Sequence, residues 1–299
     1  MQSRVAIILL NWNSYIHTRN CINSLYKVTL VDFDIILVDN ASTDDSFNKL
    51  KKEFINIIFL QTTKNLGFTG GNNFGIKKAL ELEYEYIMLL NNDVFVDSKF
   101  LYFLINYLDF NAEVGAVQPL IYNHPDRNMV WNGGGKFNRF FGNAYSIKIK
   151  PIDNKPLEVD WISGCALFIR SSVFIKFGIF REKYFTYCED VDLSFRIRLS
   201  NYKLALIPSS VIYHIGCGSS KTTFKRKDGF LLPEVHYYNI RNNIWIVRSW
   251  LKWYEKPTAI IYYLLYSISL TSYFLLRFRW NKLIAVVKGF IHGFTLNYH

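Results

Sequence analysis

Three carboxylates fall within four residues at Glu189-Asp190-Val191-Asp192, at the start of a helical pattern that runs on to Arg196 and Arg198. Acids at a helix N-terminus favour the helix dipole, but three are more than capping needs. Crowded carboxylates raise one another's pKa, which makes one of them a candidate general base. Asp93 closes Leu89-Leu90-Asn91-Asn92-Asp93. One acid with oxygen ligands beside it suits Mg²⁺ or Mn²⁺ shared with a diphosphate; a plain Asn/Asp turn is the alternative. Asp39 leads Asp39-Asn40-Ala41-Ser42-Thr43-Asp44 straight after an apolar run. Ser42 or Thr43 there can cap a helix, or Asp39 can hold the N–H of a pyrimidine base. The stretch Asn65–Asn73 carries Gly67, Gly70 and Gly71 between a strand and a helix, where backbone can approach a phosphate. It is not a dinucleotide-binding GxGxxG. His214 precedes a Gly-Ser-Lys-Thr stretch that fails as a Walker loop, because Ile215 and Ser220 stand where glycines are required. A lone histidine is more often structural than a ligand. Arg241, among Tyr237 and Tyr238, can clamp a diphosphate bidentately or be an ordinary helix surface charge.

These residues need a scaffold, and the first 120 positions supply a legible one. Val5–Leu10, Ile35–Val38, Ile57–Leu60 and Tyr86–Leu90 read as strands. Ser14–Tyr26, Ser46–Phe54 and Asn72–Leu82 read as helices between them. Strands alternating with helices imply parallel pairing, and such sheets bind ligands at the carboxyl ends of their strands. Asn11, Asn13, Asp39, Asn40, Asn91, Asn92 and Asp93 all fall there. From Gly115 to about Pro208 the runs are shorter and mixed, which predicts α+β structure completing the same domain. Residues 216–233 read as a loop with the basic run Lys225–Lys227, and the chain from about Glu234 reads as helices.

Composition narrows the class. Of 299 residues 50% are hydrophobic and 17% aromatic, which excludes disorder. The net charge of +11 is concentrated late: beyond Ser210 the only acids are Asp228, Glu234 and Glu255. That excess accompanies the uncharged stretch Thr258–Leu276, flanked by Trp250, Trp253, Trp280 and several Lys and Arg. A membrane surface is the partner this pattern fits, with no nucleic-acid motif in view. The stretch is also long enough for a single span, so a peripheral helix, a span and a core helix all stay open. Cys21, Cys165, Cys188 and Cys217 form no CxxC and read as reduced thiols of a cytosolic chain.

Taken in order, VDNASTD, NLGFTGGNN, LLNND, WISGCALFIR, YCEDVDLSFRIR, the His-Gly-Ser loop and YYNIRNN resemble the inverting glycosyltransferase family 2 over about residues 4–245, and most of all its rhamnosyltransferase-like branch. The resemblance implies a GT-A (Rossmann-like) α/β fold: a mixed, mainly parallel sheet flanked by helices, with a C-terminal helical, membrane-associating segment. Residues 1–215 would form the catalytic domain, with a nucleotide-sugar half to about 120 and an acceptor half after it; 216–299 would be the extension. It implies a nucleotide-diphosphate sugar donor, L-rhamnose on dTDP as the first choice, with Mg²⁺ or Mn²⁺. By likeness Asp39 would hold the base, with Asn11, Asn13, Asn40, Ser42, Asn65, Gly67, Gly70, Gly71, Asn72, Asn91, Asn92 and Arg241 about the nucleotide. Asp93 matches the last acid of the family's DxD metal motif, whose first acid is here Asn91, and His214 matches its late metal-ligating histidine. Asp190, with Glu189 beside it, matches the catalytic base. Trp161 and Gly164 match the acceptor side. The expected acceptor is a glycan on a polyprenyl diphosphate, at the cytoplasmic face of a bacterial inner membrane.

Two other classes share parts of this logic. A sugar-nucleotide pyrophosphorylase would need a Gly-rich, Arg-containing loop where Asn11-Trp12-Asn13 stands. A membrane-associated nucleotide-binding scaffold without turnover would have no use for Glu189, Asp190, Asp93 and His214 together.

Overall fold

The computed structural model describes residues 4–216, 221–226 and 229–297. The chain divides into two compact units, taken in turn here. The first comprises the chain to Lys136 with Ser146–Phe185 and Glu189–Gly216. In it β1 (Val5–Asn11), α1 (Tyr15–Leu25), β2 (Asp34–Asp39), α2 (Ser46–Glu53), β3 (Ile58–Gln61), α3 (Gly67–Glu81) and β4 (Tyr86–Asn91) alternate as the apolar runs predict. β1 pairs in parallel with both β2 and β4, and β3 extends the sheet beyond β2.

β1 is buried on both faces, which is why it reads as a continuous apolar run. Val5, Ile7 and Leu9 enter one core with Cys21, Ile22 and Leu25 of α1. Ala6 and Ile8 enter the other with Ile76 and Ala79 of α3. The register sets Asn11 opposite Asp39 and Leu10 opposite Asn91, so the polar residues gather at one edge.

The other half of the sheet is built differently. β5 (Val94–Val96), α4 (Phe100–Phe110), β6 (Val114–Asn123), β7 (Val130–Asn132), β10 (Leu157–Glu158), β11 (Ala166–Arg170), α5 (Ser171–Phe177), α6 (Glu189–Arg198) and β12 (Lys203–His214) follow, while β8 (Gly135–Asn138) and β9 (Asn143–Ser146) form a separate two-stranded sheet. β11 lies antiparallel between β4 and β6, and β12 runs parallel to β6. The whole is a mixed sheet in the order β10-β12-β6-β11-β4-β1-β2-β3. β5 turns back onto the end of β12, with Val94 opposite His214. That pairing carries Asp93 to the histidine.

α3 departs from the sequence reading. It starts at Gly67, five residues before the expected Asn72, so the glycines lie inside its first turns. Packing explains them. A Cβ on Gly71 would stand 2.4 Å from Leu10, and one on Gly75 2.6 Å from Ile8, so only glycine lets α3 sit this close to β1.

The second unit comprises Phe137–Tyr145, Thr186–Cys188 and the chain from Cys217. Its helices are α7 (Pro233–Trp250), α8 (Lys256–Leu276) and α9 (Trp280–Thr295). Ile240, Ile244, Val247, Leu251, Ala259, Tyr263, Phe274 and Val286 form its core. The expected loop at 216–233 is partly corrected: β13 (Lys221–Arg226) and β14 (Gly229–Leu231) pair antiparallel. Cys217–Ser220 and Lys227 lie outside the described residues. Cys21 and Cys165 are buried free thiols, both held protonated by burial, and Cys188 is free and half-buried.

Candidate active site

At the carboxyl ends of β1 and β2, Asp39 is fully buried and saturated with donors. Asn11 Nδ2 (2.8 Å) and Ser42 Oγ (2.6 Å) donate to its Oδ1; the Ser42 amide (3.0 Å) and Gln61 Nε2 (3.3 Å) donate to its Oδ2. A base N–H reaching this carboxylate must replace one of them. Gln61, exposed at the end of β3 and the longest of the four bonds, is the one that can leave. Asn13 staples the loop that follows β2: its Oδ1 accepts the amides of Thr43 (2.7 Å) and Asp44 (3.2 Å).

A chain of hydrogen bonds links this corner to the end of β4. Asn92 Nδ2 donates to Thr18 Oγ1 (2.8 Å), and Thr18 Oγ1 donates to Asn11 Oδ1 (2.8 Å). The amide of Asn11 therefore turns its nitrogen to Asp39 and to Ser46 Oγ (3.0 Å). Thr18, Ser46 and Gln61 were not legible as site residues. Thr18 looks like any polar position on an amphipathic helix, and its role follows only from the β1–β4 register. Thr18→Val keeps the shape and strips both bonds. Its expected cost is about 1–3 kcal/mol, a melting temperature several degrees lower, restored by Thr18→Ser.

The Asn65–Asn72 segment also has a structural role. Three of its amides are taken up within the protein. Gly67 N–H goes to Asn65 Oδ1 (2.8 Å), Leu66 N–H to Asn40 Oδ1 (2.9 Å), and Thr69 N–H to the Phe185 carbonyl (3.1 Å). Asn72 Nδ2 donates to the Phe68 carbonyl. Gly70, like Gly67 and Gly71, is buried in the helix. Asn73 pairs with Phe180 in both directions, and a Cβ on Gly67 would collide with Phe185 at 2.5 Å. The glycine- and Asn-rich turns of α3 thus hold the segment 180–185, which precedes the acidic helix.

That helix, α6, begins at Glu189. Three non-glycine residues ahead of it, Phe185, Tyr187 and Cys188, have φ of +65°, +69° and +65°. Left-handed backbone at bulky residues is costly and concentrates at functional sites. Asp190, half-buried, accepts the Gly164 amide on Oδ2 (2.9 Å) and the Val191 amide on Oδ1 (2.8 Å). Glu189 is 5% exposed, and its Oε2 has no hydrogen-bond partner. Burial first, then the charge of Asp190, pushes Glu189 well above the usual carboxylate range. Burial also raises Asp190, but three backbone N–H bonds pull against it. Of the pair, Glu189 is raised the further. Asp192 is turned away from both, between Arg181 and Arg196.

At the end of β12, His214 Nε2 stands 3.1 Å from Asp93 Oδ1, both nearly buried. Trp131 packs edge-on at 4.5 Å from the histidine ring, and His214 Nδ1 has no partner among the described residues. Burial alone would raise Asp93; the hydrogen bond and charge of His214, with the charge of His17, outweigh it and hold the carboxyl low. Among the described residues no group of three or more His, Cys, Asp or Glu gathers as a metal cage. Trp161 is 8% exposed, with its indole N–H on the Lys136 carbonyl (3.0 Å) and its ring against Gly135. Gly164 leaves room beside Glu189 and Phe68.

Arg241 belongs to the second unit. It is not the exposed charge of the simpler reading: it is 6% exposed, with Trp245 at 4.1 Å and Tyr238 at 4.8 Å from its guanidinium. Its Nε donates to Asn242 Oδ1 (2.8 Å), and Asn242 Nδ2 donates to the carbonyls of Thr186 and Tyr187.

The strand ends that carry Asp39 and Asp93 fall within a family match. The glycosyl transferase family 2 profile covers residues 6–177. The chain belongs to glycosyl transferase family 2 and is a glycosyltransferase. Among its relatives is N-acetylglucosaminyl-diphospho-decaprenol L-rhamnosyltransferase of Mycobacterium tuberculosis, 26% identical over 72% of this chain and 76% of that one. The low-salt glycan biosynthesis hexosyltransferase Agl10 of Haloferax volcanii is 24% identical over 98% of this chain and 90% of its own. Among solved structures, GalNAc-T7 with UDP, GalNAc and Mn²⁺ superposes with a TM-score of 0.66 at 15% identity, over 85% of this chain. This chain spans about half, 49%, of that longer one. The GT-A fold class implied by the sequence is the one observed.

Proposed function

We propose that this glycosyltransferase is an inverting enzyme that moves L-rhamnose from dTDP-rhamnose to a lipid-linked glycan, with Asp190 as its base. The observation that carries the mechanism is the placing of Asp190 at the start of α6, half-buried, with buried Glu189 beside it. Two backbone amides, one on each oxygen, fix the Asp190 carboxylate in orientation. Asp190 takes the proton of an acceptor hydroxyl as that oxygen bonds to the anomeric carbon. The bond from that carbon to the donor phosphate breaks on the opposite face, and the nucleoside diphosphate leaves with the electron pair. One displacement inverts the centre without a covalent enzyme intermediate.

Asp93 and His214 fit a divalent cation. The two side chains stand together, 3.1 Å apart, at the end of β12. A carboxylate with an imidazole is a donor set that Mn²⁺ accepts. Bound there, the cation would neutralise the leaving diphosphate. The Mn²⁺ in the GalNAc-T7 complex supports this reading. Asp39, Asn11, Ser42 and Asn13 would receive the nucleoside, with Gln61 displaced.

The rhamnose and the polyprenyl-diphosphate acceptor rest on the mycobacterial relative's name. An acceptor of that kind places the enzyme at the cytoplasmic face of a bacterial inner membrane. A UDP-hexose donor is the second reading, favoured by the hexosyltransferase Agl10 and by the UDP of the GalNAc-T7 complex. A thermal-shift panel of dTDP-, UDP- and GDP-sugars with and without Mn²⁺ separates them. A donor at a hundred times its Kd adds about 2.7 kcal/mol, or roughly 5–10 °C. A Mn²⁺-dependent rise with dTDP-rhamnose alone is expected. A rise with UDP-sugars instead replaces the donor, and no rise with any donor favours a scaffold without turnover.

A further inference from the structure

Helices α8 and α9 present an apolar surface that the second unit does not cover. Only 22% of the most apolar window of α8 is buried, although by length and composition that helix could cross a membrane. Its inner stripe, Ala259, Tyr263, Ser267 and Phe274, is spaced to face α7 and α9. The opposite face carries Ile261, Leu265, Ile268 and Leu275, each about half exposed. On α9 the exposed stripe is Trp280, Ile284, Val287 and Ile291, again at helical spacing.

Charge says what covers this surface. From Lys256 to the end of the chain there is no acid, while Lys256, Arg277, Arg279, Lys282 and Lys288 are basic. Lys282 is buried beneath Phe274; the other four are at least partly exposed. Trp253, 83% exposed, and Trp280, 54% exposed, stand near the two ends of α8. Apolar stripes edged by lysine, arginine and tryptophan match the boundary of an anionic bilayer.

Packing decides the orientation. α8 shares one core with α7 and α9 along its length. α9 is tied to α7 by Tyr237 Oη–His292 Nδ1 (2.9 Å) and by Arg248 Nη1 on the Gly293 carbonyl (2.7 Å). A spanning α8 would carry Asn239, Arg241, Asn242, Asn243 and Arg248 of α7 into hydrocarbon, where such groups are strongly disfavoured.

We infer that α8 and α9 form an in-plane anchor that seats the second unit on anionic lipid without crossing the bilayer. This deepens the reading of a membrane-side acceptor, yet its test needs neither donor nor transfer. The purified full-length chain is floated with phosphatidylcholine vesicles, with or without phosphatidylglycerol, at low and high salt. Expected is binding to the anionic vesicles, at least tenfold weaker on neutral ones and largely reversed by salt. Leu265→Glu with Ile284→Glu, both on the exposed face, should reduce binding tenfold or more with an unchanged melting temperature. Arg277→Glu with Arg279→Glu should remove the preference for anionic lipid. Three results overturn the inference: retention on vesicles after alkaline extraction, which means a span; equal binding to neutral vesicles; or no binding together with a dimer that Leu265→Glu dissociates, which means a second copy covers the face. Vesicle binding lost while transfer to a lipid-linked acceptor persists would sink the anchor and spare the proposed reaction.

Discussion

Asp190→Asn is expected to slow glycosyl transfer by about 10²–10⁴-fold, the usual worth of a positioned base, while the donor-induced thermal shift survives. The carboxylate is held by the Gly164 and Val191 amides, one on each oxygen. Asparagine keeps one of those bonds and sets its NH₂ against the other amide. The local cost is about 1–3 kcal/mol, a fall of a few degrees in melting temperature and too little to unfold the chain. The wild-type pH profile carries a second signature. Burial raises Asp190 above the ordinary carboxylate range, and Glu189 beside it is raised further. The base acts deprotonated, so turnover should fall as pH drops through that raised value, before ordinary carboxylates titrate. Asp190→Asn should have no such limb. Transfer within tenfold of wild type, or an unshifted acid limb, would remove Asp190 from the chemistry.

The parallel half of the sheet was legible because β1, β2 and β4 are buried on both faces and read as uninterrupted apolar runs. Asp39, Asp93 and the Glu189-Asp190 pair were legible because ionisable groups at strand ends or helix starts stand out from their surroundings. The turns around Gly67 are ambiguous in the sequence for a physical reason. Glycines that admit a ligand and glycines that admit a neighbouring strand leave the same mark in a sequence. Only the clashes that Cβ atoms would make with Leu10, Ile8 and Phe185 separate the two. Thr18 was hidden because its two partners, Asn11 and Asn92, meet it through pairing between strands 80 residues apart. Arg241 shows the opposite case, since an arginine every few helical residues gives no sign of which one is buried.

Asp192 illustrates how three clustered acids divide, and it should give the largest stability effect. It is fully buried, with Oδ1 2.9 Å from Arg181 Nη1 and Oδ2 3.0 Å from Arg196 Nε. Arg196 in turn donates to the carbonyls of Phe177 (2.6 Å), Gly178 (3.2 Å) and Ile179 (2.9 Å). One carboxylate therefore neutralises the cation that gathers the chain leaving α5, just before Phe180 docks on Asn73 of α3. Asp192→Ala leaves Arg196 charged and poorly solvated. Breaking one side of a buried pair costs about 3–5 kcal/mol, or roughly 10 °C in melting temperature. Turnover per folded molecule at low temperature should stay within a few-fold of wild type, because Asp192 faces the arginines and not the Glu189–Asp190 pair. The two neighbours then separate cleanly: Asp190→Asn loses rate and keeps its fold, Asp192→Ala loses fold and keeps its rate. An Asp192 variant with unchanged melting temperature and no transfer would reverse that assignment and move the base two residues along the helix.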